Sequence, residues 1–264
     1  MYGGEEVPSY DSRLEFISGF TGSAGIAIIT TKKALLFVDG RYTLQAKLQL
    51  DSNWTVMELS SDSWINWIVE NTKSGEKIGY DPWLIKAKDI TLLSSKINQK
   101  HSSLIPDGKN LVDSIWEKRP KIFQAPPKNW NKKYFTLSVE NKIDQLKSNM
   151  KIKGLDALVI TQPNQLCWLL NIRGDDLKYT PLFLGFLVLE VNGGISIFSR
   201  NNKKLINNAY KNYPYSALIP FLKNFINKNI AINLNYCPSV IAERLKLSNN
   251  TIIEDFTYLQ DIST

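Results

Sequence analysis

Asp39-Gly40-Arg41-Tyr42 is the segment of this chain best equipped for recognition, because it places a carboxylate and a guanidinium two residues apart beside a phenol. The planar fork of arginine suits peptide carbonyls and carboxylates. Asp39 has a simpler use as a helix N-cap or turn residue, accepting backbone N–H groups that open a helix. For Arg41, a solvated surface role competes with a binding one. Other catalytic ingredients are thin. The single histidine, His101, ends a predicted helix, where capping or solvation is the plainer role. Cys167 and Cys237 are far apart among apolar or small neighbours, and one histidine with two scattered cysteines makes a transition-metal site within this chain unexpected. The adjacent acids Asp175 and Asp176 follow Arg173-Gly174 and are expected to pair with that arginine or face water. Gly19, Gly22 and Gly25 have the spacing of a phosphate loop, but a strand follows them instead of the helix whose N-terminus would face the anion. Ser23 lacks the strand-turn-helix setting of a hydrolase nucleophile for the same reason.

The elements that must position these residues follow from apolar patterning. Residues 26–30 and 34–38 are apolar runs of strand length, and Thr31-Lys32-Lys33 between them is short and polar, which predicts a hairpin. Residues 41–50 then read as a helix, so Asp39 and Arg41 sit at a strand-to-helix corner. Such corners carry binding side chains on a rigid support. Before residue 120 the pattern gives a helix over 12–18, the hairpin, the helix, a strand over 54–59, a helix over 63–70, a strand over 77–80, a helix over 87–100, a short strand over 103–105 and a helix near 111–117. Pro120, Pro126 and Pro127 then forbid regular helix and favour extended chain.

After that break come a helix over 139–153, a strand over 157–161, a short helix over 162–169 and a long strand over 182–190. Asn192-Gly193 predicts a tight turn with left-handed residues, returning into a strand over 195–198. A helix over 202–212, a strand over 215–218, a helix over 221–227, a strand over 229–234, a helix over 239–246 and a strand over 251–254 complete the pattern. The halves repeat one order, hairpin, helix, strand, helix, strand, helix, strand, so two copies of one mixed α/β fold are expected. The predicted partition is 1–119, a linker over 120–136, and 137–264. The second copy opens with a helix and the strand over 157–161, whereas the first has no equivalent strand, so a truncated N-terminus is expected.

Composition bounds the class. A hydrophobic fraction of 43% over 264 residues can bury a sizeable core. The formal charge of +7 arises from lysines scattered among Asn and Ile instead of a dense block, so nucleic-acid binding is not expected. No apolar run reaches the roughly 20 residues that span a bilayer, and the N-terminus is polar where a signal peptide would be basic then apolar. Two lone cysteines fit a reducing compartment, and a cytoplasmic protein without membrane partners is expected.

Taken together, F-T-G-S-A-G-I-A-I-I, F-V-D-G-R-Y-T-L-Q-A, D-S-N-W-T-V-M, I-G-Y-D-P, L-I-P-D-G-K-N-L-V-D-S-I-W and W-L-L-N-I-R-G-D-D resemble the N-terminal region of Xaa-Pro aminopeptidases of the long three-domain type. The resemblance covers nearly the whole chain. It implies two similar creatinase N-terminal-like domains, each a mixed sheet with packed helices, and a C-terminal pita-bread domain that is absent here. In the family that third domain carries two divalent metal ions, taken as manganese, on Asp, Asp, His, Glu and Glu. No catalytic or metal-binding residue is then expected in this chain, which would be inactive alone. Arg41 looks like the family's first-domain arginine that reaches toward bound peptide. Implied partners are peptides with proline at the second position, the chain's own catalytic domain and a homo-oligomeric copy. The alternative is a non-enzymatic protein-binding module on the same scaffold.

Overall fold

The computed structural model describes residues 6–60, 63–122, 125–200 and 210–254. It divides into a smaller unit, residues 5–81 with 89–122, and a larger unit that includes 82–88 and the chain from 123 onward.

In the smaller unit, helix α1 (Arg13–Ser18) leads into the hairpin β1 (Ile26–Ile29) and β2 (Ala34–Val38). Helix α2 (Thr43–Gln49) and β3 (Trp54–Glu58) follow, with β3 parallel to β2 and β1 antiparallel to it. Next come α3 (Ser63–Asn71), β4 (Lys77–Tyr80), α4 (Ala87–Asn98), β5 (Ser103–Pro106) parallel to β4, and α5 (Leu111–Ile115). Phe20, Leu36, Val38 and Ala46 form the buried cluster beneath the hairpin and α2. Ile90, Leu93 and Ile97 recur at helical spacing on α4 and are buried, which is why this stretch coils. Asn110 caps α5 by accepting from the backbone N–H of Val112 at 2.9 Å and of Asp113 at 3.2 Å.

An ionic clamp joins the beginning of this unit to its end. Arg13 Nε and Nη2 donate to the two carboxylate oxygens of Asp113 at 2.7 and 2.9 Å, while Nη1 reaches Asp11 at 3.2 Å. Arg119 spans the same acids, 3.0 Å from Asp11 and 2.8 Å from Asp113, and its Nε donates to the Tyr10 carbonyl at 2.6 Å. Phe16 stacks on Trp116 beside the clamp, ring centres 4.7 Å apart.

The larger unit contains β6 (Lys128–Asn129), α6 (Val139–Ile152), β7 (Ala157–Ile160), α7 (Pro163–Leu169), β8 (Ile172–Arg173), β9 (Gly185–Glu190) and β10 (Ile195–Ser199). After these come β11 (Lys211–Pro214), α8 (Leu218–Leu222), β12 (Asn229–Ile232), α9 (Ser239–Lys246) and β13 (Thr251–Ile253). Its six-stranded sheet has the order β11-β10-β9-β7-β12-β13. The antiparallel pairs are β9 with β10 and with β7, and the others are parallel. Strand β7 is buried throughout because one core cluster covers each sheet face, which explains its unbroken Ala-Leu-Val-Ile run. Here β7 lies between β9 and β12; in the smaller unit β1-β2-β3 and β4-β5 form separate sheets.

Residues 82–88 complete the larger unit. The N–H of Ala87 donates to the Cys237 carbonyl at 2.8 Å, that of Ser239 to Ile85 at 2.9 Å, and that of Val240 to Pro82 at 3.1 Å. Pro82, Ile85 and Ala87 thus meet the Cys237–Val240 segment through backbone bonds within this unit.

Several sequence expectations are corrected. Neither Asn192 nor Gly193 is left-handed; the hairpin closes through a longer loop in which Gly193 N–H donates to the Glu190 carbonyl at 3.2 Å. The strand expected over 215–218 instead occupies Lys211–Pro214, because parallel pairing with β10 overrides its polar composition. Tyr215–Ala217 is a 3-10 turn and the following helix runs Leu218–Leu222, with Pro220 tolerated in its first turn. The helix expected over 202–212 lies largely outside the described residues, and its last two positions belong to β11.

Candidate functional site

The Asp39-Arg41 corner is built by the end of β2. Four buried residues, Leu35 to Val38, anchor the strand, and the Leu59 N–H bonds the Val38 carbonyl at 2.8 Å. Asp39 then turns the chain: its Oδ1 accepts from the Arg41 backbone N–H at 2.9 Å, capping a 3-10 turn over Gly40–Tyr42 that runs into α2. The same carboxylate takes both edges of the Arg41 guanidinium, Nε at 3.1 Å and Nη2 at 2.7 Å. This hydrogen bonding from Arg41 holds the Asp39 carboxyl below the usual carboxylate range.

The Arg41 side chain is 70% exposed, its guanidinium carbon 5.4 Å from the centre of the Tyr42 ring. Water screens an exposed ion pair of this kind, so an incoming carbonyl or carboxylate can exchange with Asp39 at little cost. The corner therefore offers an aimed but replaceable fork.

The glycine-punctuated segment before β1 forms the wall of this corner. Gly19 ends α1 in the left-handed conformation, φ +76°. Thr21 Oγ1 accepts from Gln45 Nε2 at 3.0 Å and Gln49 Nε2 at 2.8 Å, and Gln49 Oε1 accepts the Thr21 N–H at 3.0 Å. Ser23 Oγ and the Tyr42 hydroxyl are 2.7 Å apart. Tyr42 meets the buried Phe20 edge to face, ring centres 5.9 Å apart. The conspicuous F-T-G-S-A-G and D-G-R-Y motifs are thus two sides of one hydrogen-bonded corner.

The remaining candidates have structural surroundings. His101 takes a left-handed conformation, φ +56°, where its N–H bonds the Asn98 carbonyl at the end of α4. Asp175 pairs with Lys128. Asp176 corrects the expectation of a water-facing or Arg173-paired acid: it is buried, and its oxygens accept the backbone N–H groups of Ala125 at 3.2 Å and Leu184 at 2.6 Å. Both cysteines are free and buried, and burial pushes the Cys167 thiol up to about 11 and the Cys237 thiol higher still, leaving neither as a ready nucleophile. Among the described residues, no group of three or more His, Cys, Asp or Glu side chains is placed to hold a metal ion.

Sequence reasoning missed a cluster in the larger unit, where Lys142, Trp168 and Arg173 line one cavity with Trp130. One signal was available. Lys142 sits four residues before Leu146 on the buried stripe of α6, a position where an apolar side chain is the rule.

Known proteins resemble this chain in sequence and fold. Residues 9–114 match a family model described as Creatinase/Prolidase N-terminal domain, and residues 118–261 match a second with the same description. A Laccaria bicolor protein named "Probable Xaa-Pro aminopeptidase P" is 37% identical over 233 residues, 87% of this chain and 36% of that protein. The Arabidopsis thaliana protein named "Aminopeptidase P1" is 35% identical over 79% of this chain and 32% of its own length. The chain therefore spans about a third of the length of these curated relatives. Among solved structures, the X-prolyl aminopeptidase of Caenorhabditis elegans, described as a cytosolic enzyme with a di-nuclear active site, superposes with a TM-score of 0.88 at 26% identity. That match covers 97% of this chain and 44% of the nematode chain. With family matches over both halves, the chain belongs to the creatinase/prolidase N-terminal domain family and carries two such domains.

Proposed function

We propose that this chain is the non-catalytic N-terminal portion of a Xaa-Pro aminopeptidase, and that its two domains gate access to the active site and help to hold the peptide. The carrying observation is the Arg41 guanidinium, largely exposed on a rigid corner and paired there with Asp39 through an exchangeable ion pair. The substrates are peptides with proline at the second position, and Arg41 contributes a hydrogen-bonding fork to a peptide carbonyl or carboxylate. The two metal ions of the catalytic domain supply activated water when bound, and this chain contributes orientation and selection by size. Likeness to the aminopeptidase relatives supports the reading, as does the matching nematode enzyme. We also take the partition into 1–119 and 137–264 joined by 120–136, the homo-oligomeric state and the cytoplasmic location as parts of this proposal. The free thiols of Cys167 and Cys237 are in keeping with a reducing compartment.

The test is Arg41→Ala in the full-length enzyme. Losing one exposed charge-assisted contact should raise KM about tenfold, since such bonds contribute roughly 1.5 kcal/mol. Unchanged kcat and KM remove Arg41 from the site.

A further inference from the structure

A cavity of about 420 Å³ lies in the larger unit, lined by residues of α6, α7, β8 and the segment after β6. Its lining includes Lys133, Lys142 and Arg173 and no carboxylate. Lys142 is only 2% exposed; its Nζ donates to the Trp168 carbonyl at 2.5 Å and to Asn171 Oδ1 at 2.6 Å, and lies 4.2 Å from the centre of the Trp168 ring. These acceptors at the C-terminal end of α7 solvate the ammonium without neutralising it. Arg173 stacks 4.3 Å over Trp130, and Nη1 donates to the Ile172 carbonyl at 2.8 Å. It has no ion pair among the described residues. The nearby acids are committed elsewhere, Asp175 to Lys128 and Asp176 to backbone N–H groups. Burial, with Arg173 adding repulsion, lowers the Lys142 pKa to about 8, in keeping with a lining that brings Lys142 and Arg173 together with no acidic side chain.

Uncompensated positive charge beside indole walls sets the chemistry of an occupant. A carboxylate satisfies the cations through charge-assisted bonds, and an attached apolar body covers aromatic surface. The volume falls within the range of small-molecule sites, and a bare inorganic ion would leave the walls uncovered. We propose that this cavity binds a small organic carboxylate, its anionic end facing Arg173 and Lys142 and its apolar or aromatic body against Trp130. This site is independent of the peptidase reading and is tested without turnover.

Isothermal titration of the whole chain with N-acetylphenylalanine, its neutral amide and inorganic phosphate separates the possibilities. The carboxylate should bind with a Kd of about 1 mM or tighter, and at least tenfold more tightly than either the amide or phosphate. Arg173→Gln should weaken it about tenfold while the thermal midpoint stays within a few degrees. If that variant does not fold, Arg173→Lys, which keeps the charge but loses the fork and the stack, should weaken binding about threefold or more. Absence of saturable carboxylate binding, equal binding of amide or phosphate, or an unchanged Kd in the folded arginine variant overturns the proposal.

Discussion

Replacing Asp113 by asparagine tests whether the ionic clamp holds the smaller unit closed. Asp113 accepts both near edges of Arg13 and one of Arg119, and its side chain is 29% exposed against 11% for Arg13. Fully exposed pairs contribute about 0–1 kcal/mol, and breaking a buried pair costs about 3–5 kcal/mol, so a half-buried bidentate pair should cost about 2 kcal/mol. For a domain of this size that corresponds to a fall of about 10 °C in the Tm of the smaller unit, read by differential scanning calorimetry. Burial alone would raise the Asp113 pKa, but the hydrogen bond and charge of Arg13, joined by Arg119, outweigh it and hold the carboxyl below its ordinary value. The contribution is therefore fully present above the unfolded pKa of about 4 and is lost as pH falls through the folded one. The gap between wild type and Asp113→Asn should narrow below about pH 4. A Tm change under about 2 °C at pH 7, or a gap independent of acid, refutes the clamp.

Two further perturbations address the larger unit. A Cβ on Gly174 would lie 2.6 Å from the Phe183 Cα and 2.7 Å from the Leu182 carbonyl oxygen, backbone atoms that cannot swing aside. Gly174→Ala should thus cost about 2 kcal/mol or more, seen as a lower urea midpoint with unchanged slope. Lys142, facing Arg173 and Lys133 across the cavity, has its folded pKa lowered to about 8, below an unfolded value of about 10.4. Between those values the unfolded chain binds more protons, so stability should rise with pH from about 8 to 10, and Lys142→Met should abolish that rise in urea titrations.

The hairpin and its corner were legible in the sequence because strand-length apolar runs, a polar turn and the Asp39 cap agreed with the final packing. The duplication was legible for the same reason, each half repeating its order of elements. Strand β11 was not, since Lys-Asn-Tyr-Pro has little intrinsic strand character and acquires it from β10. The loop at Asn192-Gly193 misled because the dipeptide permits left-handed residues without demanding them. The pairing of Arg41 with Asp39 was within reach from their spacing. The cavity required the fold, because Trp130, Lys142 and Arg173 come together only when β6 pairs with β8 beside α6. Local pattern reports whether a lysine sits on an apolar stripe, and tertiary structure reports what it faces.

Incubating the purified chain and manganese with an X-Pro tripeptide, and following the N-terminal residue by mass spectrometry, tests the central proposal of a peptide-positioning scaffold without the bond-breaking groups. The peptide should remain intact; release of its first residue at a rate proportional to chain concentration would contradict the proposal.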